Sequence, residues 1–217
     1  MAAEETVPDS GCSRITAGVD RTLAEGSADV DVVIEYSLPA EPADGPVPTA
    51  MSTRCRGVVD FGSDRATLTS DYTSLMLDGS VRYQAIPGGR WTHQAGRAGQ
   101  WDSAHPRWAL EVLRAGCRSA EPVSGPDVVA ELDRDRAADL TPQGLSPDWQ
   151  TLRASTTFDD AGRLHRVEIT MTGSARPDAW MSIAAEFTGF NQAAAQIDVP
   201  ADSVDLADYL GPGSLGQ

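Results

Sequence analysis

The chain has 217 residues, 41% of them apolar, enough for one domain with a sizeable core. Against 32 acidic residues stand 17 basic ones, all arginine, for a formal net charge of −15; this excludes a basic nucleic-acid footprint and electrostatic adsorption to an anionic membrane. No run of about twenty apolar residues occurs, so no segment reads as a transmembrane helix.

Met1 to Pro8 is acidic and has neither the basic nor the apolar region of a signal peptide, which taken literally places the protein in the cytoplasm. Ser10-Gly11-Cys12 is similar to the end of a bacterial lipobox, although Asp9 stands where that motif needs an aliphatic residue. Cys12 is therefore a truncated lipidation site or an ordinary cysteine in a flexible tail of residues 1–12. Residues 13–200 then read as a single domain. Ile15, Val19 and Leu23 recur at helical spacing, with Ser13 placed to cap the helix and Gly26 to stop it. Asp31 to Leu38 alternates apolar and polar as a half-buried strand, and the Pro- and acid-rich stretch from Pro39 to Pro48 is an exposed loop.

From Arg54 to Trp101 the pattern is one of consecutive hairpins. Cys55, Val59 and Phe61 share one face of a strand, and Arg65 to Thr69 forms the next. Leu75 to Leu77 and Val81 to Ala85 flank an Asp78-Gly79 turn, and Pro87-Gly88-Gly89 marks another reversal. Pro106 to Gly116 is a second amphipathic helix with Pro at its start and Gly at its end. Val128 to Leu132 and Leu152 to Phe158 are strands separated by a polar stretch with Pro142, Gly144 and Pro147. A hairpin through Asp159 to Arg163 leads into Leu164 to Met171. Met181 to Phe187 is the last long strand, Ile197 and Val199 make a short terminal one, and residues 201–217 are a C-terminal tail. The class is α+β, an antiparallel sheet with two or three helices against it.

Three cysteines leave one unpaired. Cys55 on a buried strand face and Cys117 at a helix end are the pair placed to join sheet and helix, or both are reduced, buried and act as small hydrophobes.

The order of these elements resembles the LolA-like lipoprotein fold, in particular the actinobacterial lipid-binding lipoproteins of the LppX and LprG type. The resemblance spans Thr16 to Pro200 and rests on the initial helix and strand, Arg56-Gly57-Val58-Val59-Asp60-Phe61, Asp78-Gly79-Ser80-Val81-Arg82-Tyr83, the turn from Pro87 to Trp91, the helix with Trp108, and Asp159 to Leu164. It implies a strongly curved antiparallel sheet, a half-open barrel whose concave side faces the helices and can hold acyl chains. It also implies a non-enzymatic lipid carrier or sensor of the cell envelope, outside the cytoplasm. The candidate cavity lining is Val32, Ile34, Tyr36, Val59, Phe61, Val81, Tyr83, Phe158, Ile169, Ile183 and Phe187, with the small Ala154 leaving room on the same face. Trp91, Trp101, Trp108, Trp149 and Trp180 either mark a cavity mouth or a membrane-facing rim, or anchor loops and helices on the sheet. The competing expectation is a protein-interaction domain whose sheet is fully packed and binds no lipid.

Enzyme motifs are missing. His93, His105 and His165 lack ligand spacing, and neither His-Glu-x-x-His nor Cys-x-x-Cys occurs. Asp133, Asp135 and Asp139 are spaced like part of a calcium loop, but Ala138 stands at the obligatory glycine and no Glu closes the loop, so they read as solvated charge at a strand end. There is no nucleophile elbow, Walker loop or dinucleotide fingerprint. No catalytic residue, metal ligand or cofactor is expected.

Overall fold

A computed structural model describes residues 10–37, 50–86, 88–97, 99–123, 127–141, 145, 149–173, 179–192 and 197–210. In chain order the elements are α1 (Ser10–Ala24), β1 (Ser27–Ser37), β2 (Met51–Asp60), β3 (Arg65–Thr69), β4 (Ser74–Asp78), β5 (Val81–Ala85) and β6 (Thr92–Ala95). There follow α2 (Pro106–Gly116), β7 (Cys117–Pro122), β8 (Val128–Leu132), α3 (Arg134–Asp139), β9 (Trp149–Phe158), β10 (Leu164–Gly173) and β11 (Trp180–Thr188), and then β12 (Val204–Asp205) and α4 (Leu206–Leu210). The loop expected at residues 39–48, the end of the first strand at Leu38, Pro87, and Pro142, Gly144 and Pro147 lie outside the described residues.

The twelve strands of the described residues form one curved, unclosed sheet in the order β12-β6-β5-β4-β3-β2-β1-β11-β10-β9-β8-β7. Every neighbouring pair is antiparallel except β12 on β6, which is parallel. The half-open barrel expected from the element order is therefore present, and the sheet is mixed rather than purely antiparallel.

Period-two alternation gives this sheet one apolar inner face. Residues paired across antiparallel strands share a face, and the registers connect Ile34, Ile183, Ile169, Ala154 and Ala130 in one row across β1, β11, β10, β9 and β8. A second row links Val30 through Gly57 and Leu68 to Leu75. Gly57 is required there, because a Cβ on it would stand 1.7 Å from the Thr67 carbonyl oxygen. Helices α1 and α2 pack on β7, β8 and β10, α2 also reaches β11, and α3 touches α2 and β9. Helix α2 buries Trp108, Ala109, Leu110, Val112 and Leu113 against this face. The Trp108 indole donates to Thr141 Oγ1 at 2.9 Å, which satisfies the one polar atom of its side chain.

Several expectations are corrected. Helix α1 already includes Ser10 to Cys12, because Gly11 lets it approach β7 closely: a Cβ at that position would lie 2.2 Å from the Ala120 carbonyl oxygen. The disulfide joins Cys12 to Cys117, and Cys55 is free and buried. Cys55 lies on β2 while Cys117 opens the edge strand β7, and five strands separate them in the sheet, so they have no route to each other. The Cys12 thiol, held in the disulfide, is not available for a lipid thioether. Ile197 and Val199 form no strand, and the tail instead contributes β12 and α4, whose parallel pairing a local pattern does not reveal. Asp133 is the N-cap of α3, its carboxylate accepting from the Asp135 and Arg136 amides at 3.0 and 3.2 Å, rather than free charge at a strand end.

Peptide mapping of protein folded under oxidising conditions is expected to give a Cys12–Cys117 cross-link, with Cys55 alkylated only after denaturation. Cys12→Ser is expected to lower unfolding stability by about 2–5 kcal/mol in urea, because the bridge closes a long loop. A native Cys55 that labels freely would contradict this arrangement.

Candidate functional site

Most of the proposed lining residues are buried in packed core. Val32, Val59, Phe61, Ala154, Phe158, Ile169, Ile183 and Phe187 belong to one buried apolar cluster, with Ile34 packed against its margin. Phe61 and Phe187 rings meet 6.2 Å apart inside it. Tyr36 is half-buried at the end of β1. Val81 and Tyr83 lie on the opposite face of the sheet: Tyr83 pairs with Met76 and His93, while Arg82 pairs with the inner-face Leu77. Among the tryptophans, Trp108 is fully buried, Trp101 and Trp149 pack on the core margin, and Trp91 and Trp180 are half-buried.

One open space lies where the inner face changes chemistry. The row Ala66–Leu77 continues into Arg82 and Gln94, and the row Leu68–Leu75 continues into Gln84 and Thr92. Apolar side chains thus give way to polar ones between β4 and β5. Over β5 and β6 stands a cleft of about 430 Å³, walled by these polar residues and by Ile86, Arg90, Leu206 and Tyr209. Ile86 and Tyr209 are 63% and 59% exposed. A second groove, beside α1 and the β9–β10 hairpin, is lined by the charged Arg14, Arg21, Asp159 and Asp160 together with Ala17, Gly162 and Phe158, which was among the proposed lining residues.

Asp102 anchors the cleft floor to α2. One carboxylate oxygen accepts from Arg82 Nη1 at 3.2 Å and the other from the Ala104 amide at 2.8 Å. His105 follows and caps α2: Nδ1 accepts from the Arg107 amide at 3.1 Å, which leaves Nε2–H to donate to the Asp64 carbonyl at 3.2 Å. The Arg107 guanidinium pairs with Asp64 and Glu111, donates to the Phe61 carbonyl at 2.9 Å, and lies over the Trp101 ring. The β2–β3 turn and the start of α2 are thereby locked together. Burial holds His105 neutral, lowering its pKa from 6.5 to about 4 against the opposing pull of Asp102 and Asp78. Burial also pushes the Cys55 thiol up, opposed by the charge of Arg82 and a hydrogen bond from Ser70.

Sequence reasoning passed over Arg82, Gln84, Gln94, Ile86, Leu206 and Tyr209. The misleading signal was β4, where Leu75, Met76 and Leu77 are all buried; with both faces apolar, its phase does not carry over to β5, and Val81 and Tyr83 looked like the inward pair. Among the described residues no three His, Cys, Asp or Glu side chains converge as for a metal, and no helix is long and apolar enough to cross a membrane.

No protein-family model and no curated protein matches the chain. Among solved structures it is similar to the crystal structure of the Mycobacterium tuberculosis lipoprotein LppX, at 12% sequence identity, covering 86% of this chain and 99% of that one, with a TM-score of 0.47.

Two outcomes are expected. Because folded His105 titrates near 4 and an unfolded histidine near 6.5, its contribution to stability is complete above the higher value and is lost as pH falls toward the lower. Melting temperatures measured down through that window should fall for the parent and fall less steeply for His105→Asn, whose side chain can still cap. Ala154→Trp should destabilise by about 1–3 kcal/mol or more, because Ala154 sits in filled core and a large ring there forces strain; an unchanged melting temperature would instead reveal empty volume beside it.

Proposed function

We propose that the protein binds an amphipathic ligand with an acyl chain, without catalysis, in the cleft over β5 and β6, and that it does so outside the cytoplasm. The observation that carries this reading is the inner face itself, which leaves the cover of α1 and α2 and ends in an open cleft where exposed Ile86 and Tyr209 stand beside polar Arg82, Gln84 and Gln94. A site of about 430 Å³ falls within the range of small-molecule sites, which combine apolar walls with a few polar groups. Each methylene withdrawn from water there is worth about 0.8 kcal/mol. The Cys12–Cys117 bridge supports an oxidising compartment, and the resemblance of the element order to lipid-binding lipoproteins supports the ligand class. With the centre of the sheet filled, the ligand lies along its β5–β6 end rather than inside the half-barrel.

The filled core favours a second reading, a packed interaction domain without a lipid. A fluorescent fatty acid separates the two. Ile86→Ser and Tyr209→Ala should each weaken its uptake about tenfold while leaving the melting temperature unchanged, since both side chains are largely exposed. Val129→Ser, on the outer face of β8, should bind like the parent. A parent that takes up no fatty acid, and carries no lipid adduct in native mass spectrometry, leaves the packed interaction domain.

A further inference from the structure

The cleft holds cationic groups that an apolar ligand does not use. Arg82 spends Nη1 on Asp102, yet its Nε is buried and has no hydrogen-bond partner among the described residues. Nη1 lies on the far side of the guanidinium from the edge formed by Nε and Nη2, so the ion pair with Asp102 leaves that edge uncommitted. The side chain lines the cleft and is 36% exposed, so its outer nitrogens can donate to a carboxylate or phosphate there. Arg90 lines the same cleft, is exposed, and has no ion-pair partner among the described residues. Gln84, Thr92 and Gln94 add amide and hydroxyl groups beside them. In a chain of net charge −15, two arginines facing one cleft, with a single carboxylate paired to them, are a local reversal of sign. Ile86, Leu206 and Tyr209 complete the wall with apolar surface.

We infer that the cleft selects an anionic amphiphile, its carboxylate or phosphate head held by Arg82 and Arg90 and its chain laid on Ile86, Leu206 and Tyr209. This rests on the lipid-binding reading above and narrows it to a head-group charge. A guanidinium suits this place because it keeps Asp102 on one nitrogen and has others to offer an oxyanion. A lysine would offer a point charge without the second parallel donor.

Calorimetric titration of the full chain with three probes, each amphiphile kept below its micelle concentration, tests this. Dodecyl phosphate should bind about tenfold tighter than the uncharged dodecyl maltoside, and inorganic phosphate should bind far more weakly than dodecyl phosphate. Arg90→Gln, an exposed change, and Arg82→Lys, which keeps a cation beside Asp102, should each remove most of the preference for dodecyl phosphate over dodecyl maltoside. Equal affinity for the two amphiphiles in the parent, or a preference that survives both substitutions, overturns the anionic site while leaving apolar binding in place. Inorganic phosphate binding as tightly as dodecyl phosphate overturns it in favour of a free-anion site. If neither amphiphile binds, both this inference and the lipid-binding reading fall.

Discussion

The structure depends on α2 being held at both ends across the apolar face of an unclosed sheet. A sheet with one apolar face must bury it, and here the cover is a helix of eleven residues whose Trp108, Leu110 and Leu113 are fully buried. So short a helix has little stability of its own. It is fixed at its start by His105 and Arg107, which tie it to the β2–β3 turn, and directly after its end by Cys117, which is bonded to α1. Each tie answers a particular problem. The first satisfies carbonyls at a turn in which Asp64 has φ of +58°, and the second keeps α1 against the edge strand β7.

Leaving the barrel open creates two sheet edges, and each is blunted in a different way. The β7 edge carries Arg118 and Glu121 and ends at Pro122, which cannot donate to a further strand. The other edge is closed off by β12, only two residues long. Next to it the inner face can afford to turn polar, because neither α1 nor α2 packs there. The location of the cleft follows from the extent of the helical cover, and its chemistry from the residues that the uncovered strands carry.

The strands and the two main helices could be read from alternation and helical spacing: β3, β5 and α2 lie where the pattern puts them. What escaped is what alternation does not encode. Cys12 and Cys117 are 105 residues apart and meet only because α1 lies along β7. β12 is two residues in parallel pairing with β6, too short to leave a period. Asp133 looked like free charge because a capping carboxylate and a solvated one have the same letter. The candidate lining was legible as apolar and inward for Val32, Val59, Ile169, Ile183 and Phe187, yet apolar and inward describes filled core as well as cavity wall. The open site is made of residues whose polarity pointed to water, and the doubly buried β4 concealed that they share the inner face.

The position of the disulfide also divides the molecule mechanically. Tension applied between the ends of the chain enters at α1, crosses at Cys12 to Cys117, and continues into β7. β1 to β6 and α2 lie within the bypassed loop and are off the covalent path of the pull while the bridge is intact, so the load falls first on β7 to β12. The half that carries the Arg82 cleft floor is thus off the direct line of the chain, and load reaches it across the sheet, through β11 paired with β1 and through β12 resting on β6.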